Sequence, residues 1–209
     1  MPTTWHIQQT PDAQQLDAIA DTLRSRGVVL LPTDTIYGLH AIATDDDAVA
    51  RIASIKGRDE TKPFIVLAAS TAAFADLGIS VDPAILTALE SIWPAPLTAI
   101  LPLRRPIAAS RGAASLAVRI PALDWLRDLA TRTGPLVSTS ANRSGEPPVE
   151  SPSAFARDLH DRVDGIVDAG PRQGEPSAIL DLTTPEPRFI REGEKSFTQN
   201  VWKSLRKTL

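Results

Sequence analysis

The chain has no cysteine and only three histidines, His6, His40 and His160. The lack of cysteine excludes disulfides, thiolate metal ligands and a cysteine nucleophile, and it fits a reducing compartment. Because the histidines are far apart in sequence, a structural zinc site is not expected. Any chemistry must therefore come from hydroxyl, amide, carboxylate and cationic side chains.

Long apolar runs, a basic leader and an excess of positive charge are also missing. No run of eighteen apolar residues occurs, and the opening "MPTTWHIQQTPDAQQ" has no basic segment followed by an apolar core. We expect a soluble, cytoplasmic protein with no membrane contact. Since 25 acidic residues balance 22 basic ones, a broad nucleic-acid surface is not expected, and any cationic site must be local.

The length and the apolar pattern predict one α/β domain. With 209 residues, 43% of them hydrophobic, the chain can bury a large core, and we expect a single domain over residues 1–209. Apolar periodicity and turn residues predict a twisted mixed sheet flanked by helices. The predicted helices span 12–26, 45–56, 83–89, 122–131, 152–159 and 201–207, and the predicted strands span 28–31, 64–68, 98–103, 116–120, 136–140, 165–168, 178–182 and 188–191.

Five short stretches place polar or charged side chains at the ends of predicted elements. Taken singly, each has a structural explanation. A helix C-terminus favours cations such as Lys56 and Arg58, and hydroxyls at 138–142 or at Ser177 can satisfy turn backbone. Arg119 lies in an apolar strand and needs an anionic partner, which a salt bridge or a ligand would supply equally well. The stretches are "PTDTIYGL" (32–39), "KGRDETKP" (56–63), "SLAVRIP" (115–121), "STSANRSGEPP" (138–148) and "GEPSAILDL" (174–182).

Several common sequence fingerprints are absent. The chain has no GxxxxGK[ST], GxGxxG or GxSxG pattern, and no histidine lies in any of the five stretches, which counts against hydrolysis by a catalytic triad. A nucleotide, if bound, is therefore not held by a phosphate loop or a dinucleotide fingerprint. Cations and hydroxyls at strand ends remain, and they suit a polyanion bound beside a small polar molecule.

Taken together and in order, the stretches resemble one family. "PTDTIYGL", "KGR" with a following "KP", "WPAPLT" (93–98), "VRIP", "STSAN" with "SG", "PSAILDL" and "IREG" are similar to the YrdC-like L-threonylcarbamoyladenylate synthases over about residues 27–193. The resemblance implies a twisted α/β domain with a large concave, locally positive cleft. Residues 194–209 would then form a short C-terminal tail.

The resemblance also implies a reaction and its partners. L-threonine, bicarbonate and ATP would give threonylcarbamoyl-AMP and pyrophosphate without a covalent enzyme intermediate, and Mg²⁺ would accompany ATP without a metal ligand from the protein. A tRNA threonylcarbamoyl transferase complex would then pass the group to adenosine 37 of tRNA. Direct binding of tRNA or double-stranded RNA is a further expectation.

Site residues follow from the same resemblance. Its KxR and SxN motifs and two further cations would contact ATP and its phosphates, and a second set would form the threonine pocket. Arg119 would bind the amino-acid carboxylate, because a guanidinium can grip it with two hydrogen bonds. The ATP set is Lys56, Arg58, Lys62, Ser140, Asn142 and Arg191; the threonine set is Thr35, Arg119, Ser138 and Ser177; Thr33 and Tyr37 would line the same cleft.

Three positions depart from the family pattern, and three alternative readings stay open. Ala178 replaces a threonine, so we expect one hydroxyl fewer near the threonine site, while Ala95 and His40 replace glycines and are expected to alter loops. The alternatives are a paralogous branch that lacks KxR and SxN, a double-stranded RNA-binding module, and the related domain of hydrogenase-maturation carbamoyltransferases. The last are longer and rich in cysteine, and the KxR and SxN residues present here favour the synthase.

Overall fold

The computed structural model describes residues 1–57, 63–143, 145–155 and 157–208, and its main element is one mixed β-sheet. Within these residues the strands follow the spatial order β1-β8-β2-β3-β7-β4-β6-β5-β9-β10. The strands are β1 (Thr3–His6), β2 (Val29–Pro32), β3 (Tyr37–Ile42), β4 (Ile65–Leu67), β5 (Leu97–Pro102), β6 (Ser115–Arg119), β7 (Leu136–Ser140), β8 (Gly165–Asp168), β9 (Ala178–Asp181) and β10 (Arg188–Arg191).

The sheet mixes parallel and antiparallel pairs. Strands β2, β3, β7 and β4 pair antiparallel in the centre. Parallel pairs join β1 to β8, β8 to β2, β4 to β6 and β5 to β9. This confirms the predicted α/β class with a mixed sheet. The assignment of residues 1–209 to a single domain stays a prediction.

Helices cover the sheet, and their ends follow capping signals in the sequence. Asp12 and Gln15 form a capping box at the start of α1. Asp45 caps the start of α2, and Gly57, in the left-handed conformation with φ 56°, caps its C-terminus. Lys56 is therefore the last residue of α2. The helices are α1 (Ala13–Arg24), α2 (Asp46–Lys56), α3 (Pro83–Glu90), α4 (Asp124–Thr133), α5 (Arg157–His160) and α6 (Lys195–Thr208).

The two faces of the sheet are covered unequally. On one face Leu30 and Leu39 belong to a large core that includes apolar side chains of α2, α3 and α6. On the other face Val29 and Leu136 pack with side chains of α1 and α4. Because side chains alternate along a strand, Ser138 and its β7 neighbours at even positions share this second face. Beyond α1 and α4, the second face carries polar groups.

Three sequence predictions need correction. The sequence pattern predicts no strand at residues 3–6 or 37–42, but the structure has β1 and β3 there. Strand β1 is short and mostly polar, and β3 directly follows a hydroxyl-rich loop, so neither has a clear apolar pattern at its start. The helix predicted at 152–159 is wrong, since a 3₁₀ turn at Pro152–Ala154 is separate from α5. The extended backbone at Phe155 ends the 3₁₀ turn, so the two elements are not one helix.

Residues 194–209, predicted as a tail with a helix at 201–207, contain a longer helix that packs on the domain. Helix α6 begins at Lys195, and Glu194 accepts hydrogen bonds from the backbone N–H groups of Ser196 and Phe197. Val201 and Leu205 are buried in the large core. No helix in the described ranges is long and apolar enough to cross a membrane.

Truncation of Leu205 tests whether α6 belongs to the cooperative core. We expect Leu205→Ala to lower the free energy of unfolding by about 3 kcal/mol, because the leucine side chain is buried and its truncation leaves a cavity. Urea unfolding followed by circular dichroism measures the change. Lys203→Ala, on the exposed side of the same helix, should change it by less than about 0.5 kcal/mol. Equal effects of the two substitutions would show that α6 is not packed as described.

Candidate active site

A cavity of about 490 Å³ lies on the partly uncovered face of the sheet. Its wall combines apolar side chains, such as Ile65 and Ala117, with hydroxyl, amide and guanidinium groups from distant parts of the chain. Among the described residues, the charged ones that line it are Arg119, Arg191 and Glu146. Of the predicted site residues, the cavity brings together Thr33, Thr35, Tyr37, Arg119, Ser138, Ser140, Asn142, Ser177 and Arg191.

Lys56 lies next to the cavity and joins α2 to the end of β7. Its side chain is only 4% exposed. The ammonium donates hydrogen bonds to the backbone carbonyl of Ser140 at 2.6 Å and to Oδ1 of Asn142 at 2.8 Å. Asn142 in turn donates from Nδ2 to the backbone carbonyl of Glu146. The lysine of KxR and both polar residues of SxN thus form one cluster, whereas Arg58 and Lys62 lie outside the described residues.

Arg119 forms a second buried cationic group, at the end of β6. It is 4% exposed; Nη1 donates to Oγ1 of Thr35 at 3.1 Å, and Nη2 lies 3.3 Å from Oδ1 of Asp34. Burial lowers the pKa of Arg119, while the Asp34 charge raises it and the Arg191 charge lowers it. Oγ1 of Thr33 lies 2.9 Å from Oγ1 of Thr35. Arg119 therefore has the salt bridge that one of its two explanations requires, and it also lines the cavity, where a contact with a ligand stays a prediction.

Ser177 and Arg191 meet at the opposite wall, where β9 and β10 run antiparallel. Arg191 donates from Nε to the backbone carbonyl of Ser177 at 2.8 Å, and burial lowers the pKa of Arg191. The Ser177 hydroxyl lies 2.8 Å from Oγ1 of Thr98, which is fully buried. Sequence reasoning missed Thr98 as a member of this cluster, although "WPAPLT" contains it.

Tyr37 belongs to the wall, and its hydroxyl is already engaged. The side chain is fully buried, donates to the carbonyl of Gly170 at 2.9 Å and accepts from the N–H of Ala169 at 3.0 Å. Burial raises the pKa of Tyr37. The two hydrogen bonds connect β3 to the segment after β8, so Tyr37 helps to shape the cavity wall. Because its pKa is raised, the phenol stays protonated.

The structure revises the expectations for the departures from the family pattern. Ala178 faces the large core, whereas its neighbours Ser177 and Ile179 line the cavity. A threonine at 178 would therefore place its hydroxyl in the core, and the expected loss of a hydroxyl at the threonine site is wrong. Ala95 lies in the loop between α3 and β5, where it is buried in the large core, and its effect on that loop stays a prediction. His40 lies within β3, so the expectation of a loop change at this position is wrong.

His40 is a neutral, fully buried histidine under the cavity wall. Its Nδ1 lies 3.0 Å from the carbonyl oxygen of Gly38, and Nε2 makes no hydrogen bond with the described residues. Burial lowers the pKa of His40 to about 3. A Cβ at Gly38, which lines the cavity, would lie 2.8 Å from Cε1 of the imidazole. Glycine at 38 thus makes room for the histidine at 40.

The donor set of the cavity fits phosphate oxygens better than a bare metal ion. In the described part of the chain, no group of three or more His, Cys, Asp or Glu residues could hold a metal. Mg²⁺ commonly binds through one or two carboxylates together with substrate phosphates and waters. The described residues would therefore accommodate Mg²⁺ as an ion held by the phosphates of a nucleotide.

Comparison with known proteins identifies similar chains over most of the sequence. The Sua5/YciO/YrdC family model, described as "Telomere recombination", matches residues 21–193. "Threonylcarbamoyl-AMP synthase" of Bacillus subtilis is 34% identical over 198 residues, which cover 90% of this chain and 57% of that protein. The protein of the same name from Xanthomonas campestris is 38% identical over 188 residues, 85% of this chain and 97% of that one.

A solved structure is similar over almost the whole chain. Pyrococcus abyssi Sua5 complexed with L-threonine matches with a TM-score of 0.86 and 29% identity, over 96% of this chain and 60% of that one. The chain thus spans less than two thirds of the B. subtilis and P. abyssi proteins, and nearly all of the X. campestris protein.

The buried His40 should make the fold sensitive to acid. An unfolded histidine titrates near 6.5, but burial lowers the pKa of His40 to about 3 in the folded chain. Between these values the unfolded state binds more protons, so the stability that neutral His40 contributes is complete above pH 6.5 and is lost as the pH falls towards 3. Urea unfolding across this range should show a slope of about 1.4 kcal/mol per pH unit from this residue.

Two variants isolate that slope. His40→Leu should lack it, while His6→Gln, at an exposed histidine, should keep it. An unchanged slope in His40→Leu would mean that other groups account for the loss of stability in acid.

Proposed function

We propose, since the chain belongs to the Sua5/YciO/YrdC family, that it is a threonylcarbamoyl-AMP synthase. The substrates would be L-threonine, bicarbonate and ATP, and the products threonylcarbamoyl-AMP and pyrophosphate. One observation carries the proposal: the cluster of Lys56, Ser140 and Asn142 and the buried guanidinium of Arg119 border the same cavity. The Lys56 cluster suits a phosphate, and the Arg119 guanidinium suits a carboxylate.

The ATP phosphates would bind at the Lys56 end of the cavity. The ammonium is held by two oxygen acceptors at the end of β7, so its charge is already oriented when a phosphate arrives. Arg191 supplies a second cation from the opposite wall. Charge-assisted hydrogen bonds of this kind are stronger than neutral ones. We include Arg58 and Lys62 in the proposed phosphate site on the strength of their motifs alone.

L-threonine would bind at the Arg119 end. The guanidinium would receive the carboxylate, and the hydroxyls of Thr35, Ser138 and Ser177 would contact the polar groups of the amino acid. Ile65 and nearby apolar side chains would contact its methyl group. P. abyssi Sua5, which is similar over most of this chain, has been solved with L-threonine, and this supports the assignment.

The residues favour a reaction that relies on positioning and charge. The amine of threonine and bicarbonate would form a carbamate with loss of water, and a carbamate oxygen would attack the α-phosphate and expel pyrophosphate. Arg119 would fix the carboxylate so that the amine faces the nucleotide, and Lys56 and Arg191 would neutralise charge on the phosphates. Mg²⁺ bound to those phosphates would add to this neutralisation. The apolar part of the wall would shield the labile carbamate from water.

The proposed product would be consumed in tRNA modification. Threonylcarbamoyl-AMP is an activated mixed anhydride, so we propose that a downstream tRNA threonylcarbamoyl transferase complex in the cytoplasm consumes it. The transferase would modify adenosine 37 of tRNA.

Substrate dependence tests the reaction directly. We expect the purified protein to release pyrophosphate from Mg-ATP only when both L-threonine and bicarbonate are present, because the carbamate needs both. A coupled pyrophosphate assay with each substrate omitted in turn measures this. Release without threonine, or no release from a folded protein that shifts duplex RNA on a gel, would favour the RNA-binding alternative.

Substitution of Ser140 tests the phosphate site. We expect Ser140→Ala to lower kcat by about 100-fold, a typical cost for one group that contacts developing charge. The melting temperature should change little, because Lys56 keeps its bonds to the backbone carbonyl at 140 and to Asn142. Ser153→Ala, at an exposed serine, is the matched control. If Ser140→Ala unfolds the protein, the hydroxyl is structural.

A further inference from the structure

Asp34 is a buried carboxylate that stands between two cavity residues without lining the cavity itself. Thr33 and Thr35 line the cavity, and Asp34 lies between them in the β2–β3 loop with its side chain 7% exposed. A carboxylate rarely stays buried without a partner that offsets the cost of its removal from water. The contacts of the Asp34 carboxylate therefore indicate its role in the fold.

Asp34 connects three segments of the chain. Its Oδ2 accepts a hydrogen bond of 3.0 Å from the backbone N–H of Ala122, in the turn before α4. Its Oδ1 lies 3.3 Å from Nη2 of Arg119, at ion-pair distance but without the alignment of a hydrogen bond. The carboxylate is thus anchored to backbone by one oxygen and directs the other at the guanidinium.

The same loop holds both terminal nitrogens of Arg119. Thr35 accepts from Nη1 at 3.1 Å and Asp34 faces Nη2, while Nε has no hydrogen bond in the described residues. Arg191 lines the same cavity and repels the guanidinium electrostatically. The orientation of Arg119 therefore depends on two adjacent loop residues, of which only Asp34 carries the opposite charge.

We infer that Asp34 is a positioning residue for the amino-acid substrate: it holds the Arg119 guanidinium from the side away from the cavity, so that the guanidinium presents a fixed set of donors to the substrate carboxylate. The inference rests on the proposed function for the identity of the ligand. Asp34 itself does not line the cavity, so we do not expect it to touch the substrate. Its effect should appear in the affinity for L-threonine and not in the affinity for ATP.

Steady-state kinetics of Asp34→Asn test this role. The amide keeps the size of the side chain and an oxygen acceptor for Ala122 N–H, but it loses the charge that holds Arg119. We expect the KM for L-threonine to rise about ten-fold, because the buried opposite charge beside the Arg119 guanidinium is lost, with the KM for ATP unchanged. Asp34→Glu retains the carboxylate and should recover most of the affinity.

A matched control separates positioning from the general loss of a buried carboxylate. Asp181 is also buried, with its side chain 8% exposed and 3.4 Å from Arg188, and it does not line the cavity. Asp181→Asn should leave the KM for L-threonine unchanged. Equal KM values for threonine in Asp34→Asn and the wild type, or a lower one in the variant, would overturn the inference.

A structural readout keeps the inference testable even if the proposed function fails. A crystal structure of Asp34→Asn should show the guanidinium of Arg119 turned away from Thr35, whatever the substrate is. If Nη1 keeps its 3.1 Å contact with Thr35, Asp34 does not position Arg119. If calorimetry shows that the wild type binds no L-threonine, the proposed function is overturned, and the crystal structure alone decides the role of Asp34.

Discussion

The burial of two cations, Lys56 and Arg119, is the constraint on which the cavity depends. Each is 4% exposed, and an ammonium or guanidinium removed from water costs several kcal/mol unless partners offset it. Lys56 meets this requirement at the end of β7, through Ser140 and Asn142. Arg119 meets it in the β2–β3 loop, through Asp34 and Thr35. The end of α2, the end of β7 and the β2–β3 loop are therefore held where a ligand can reach all of them.

The sheet makes these partners rigid. The antiparallel register places Gly38 opposite Ser140 and His40 opposite Ser138, so the pairing of β3 with β7 holds two cavity residues of β7 in place. Sites built on strands are held more firmly than sites on loops. Gly38 and His40 also lie in this part of β3. The imidazole of His40 occupies the volume that a side chain at position 38 would need, so glycine at 38 compensates for histidine at 40. The departure from glycine at 40 is thus accommodated inside the sheet without filling the cavity.

Much of the fold could be predicted from local sequence, and so could most of the candidate site. Capping residues such as Asp12 and Asp45 mark the starts of α1 and α2, and continuous apolar runs mark the buried strands. The resemblance to a family named cavity residues such as Ser138 and Arg191, which the structure brings together. It did not draw attention to Asp34 or Thr98, since a carboxylate in a loop and a threonine in a strand carry no signal until their partners are known.

By itself, the sequence determined the capped starts of α1 and α2, the class of fold and the kinds of groups available for chemistry, because these follow from neighbouring residues. Only the tertiary structure decided which way each side chain faces and which distant groups meet. Ala178 and Ser177 are adjacent in sequence, yet one packs in the core and the other lines the cavity. Lys56 meets Asn142 across 86 positions. Such contacts depend on strand order and on the alternation of side chains across the sheet, and both arise only when the whole sheet is paired.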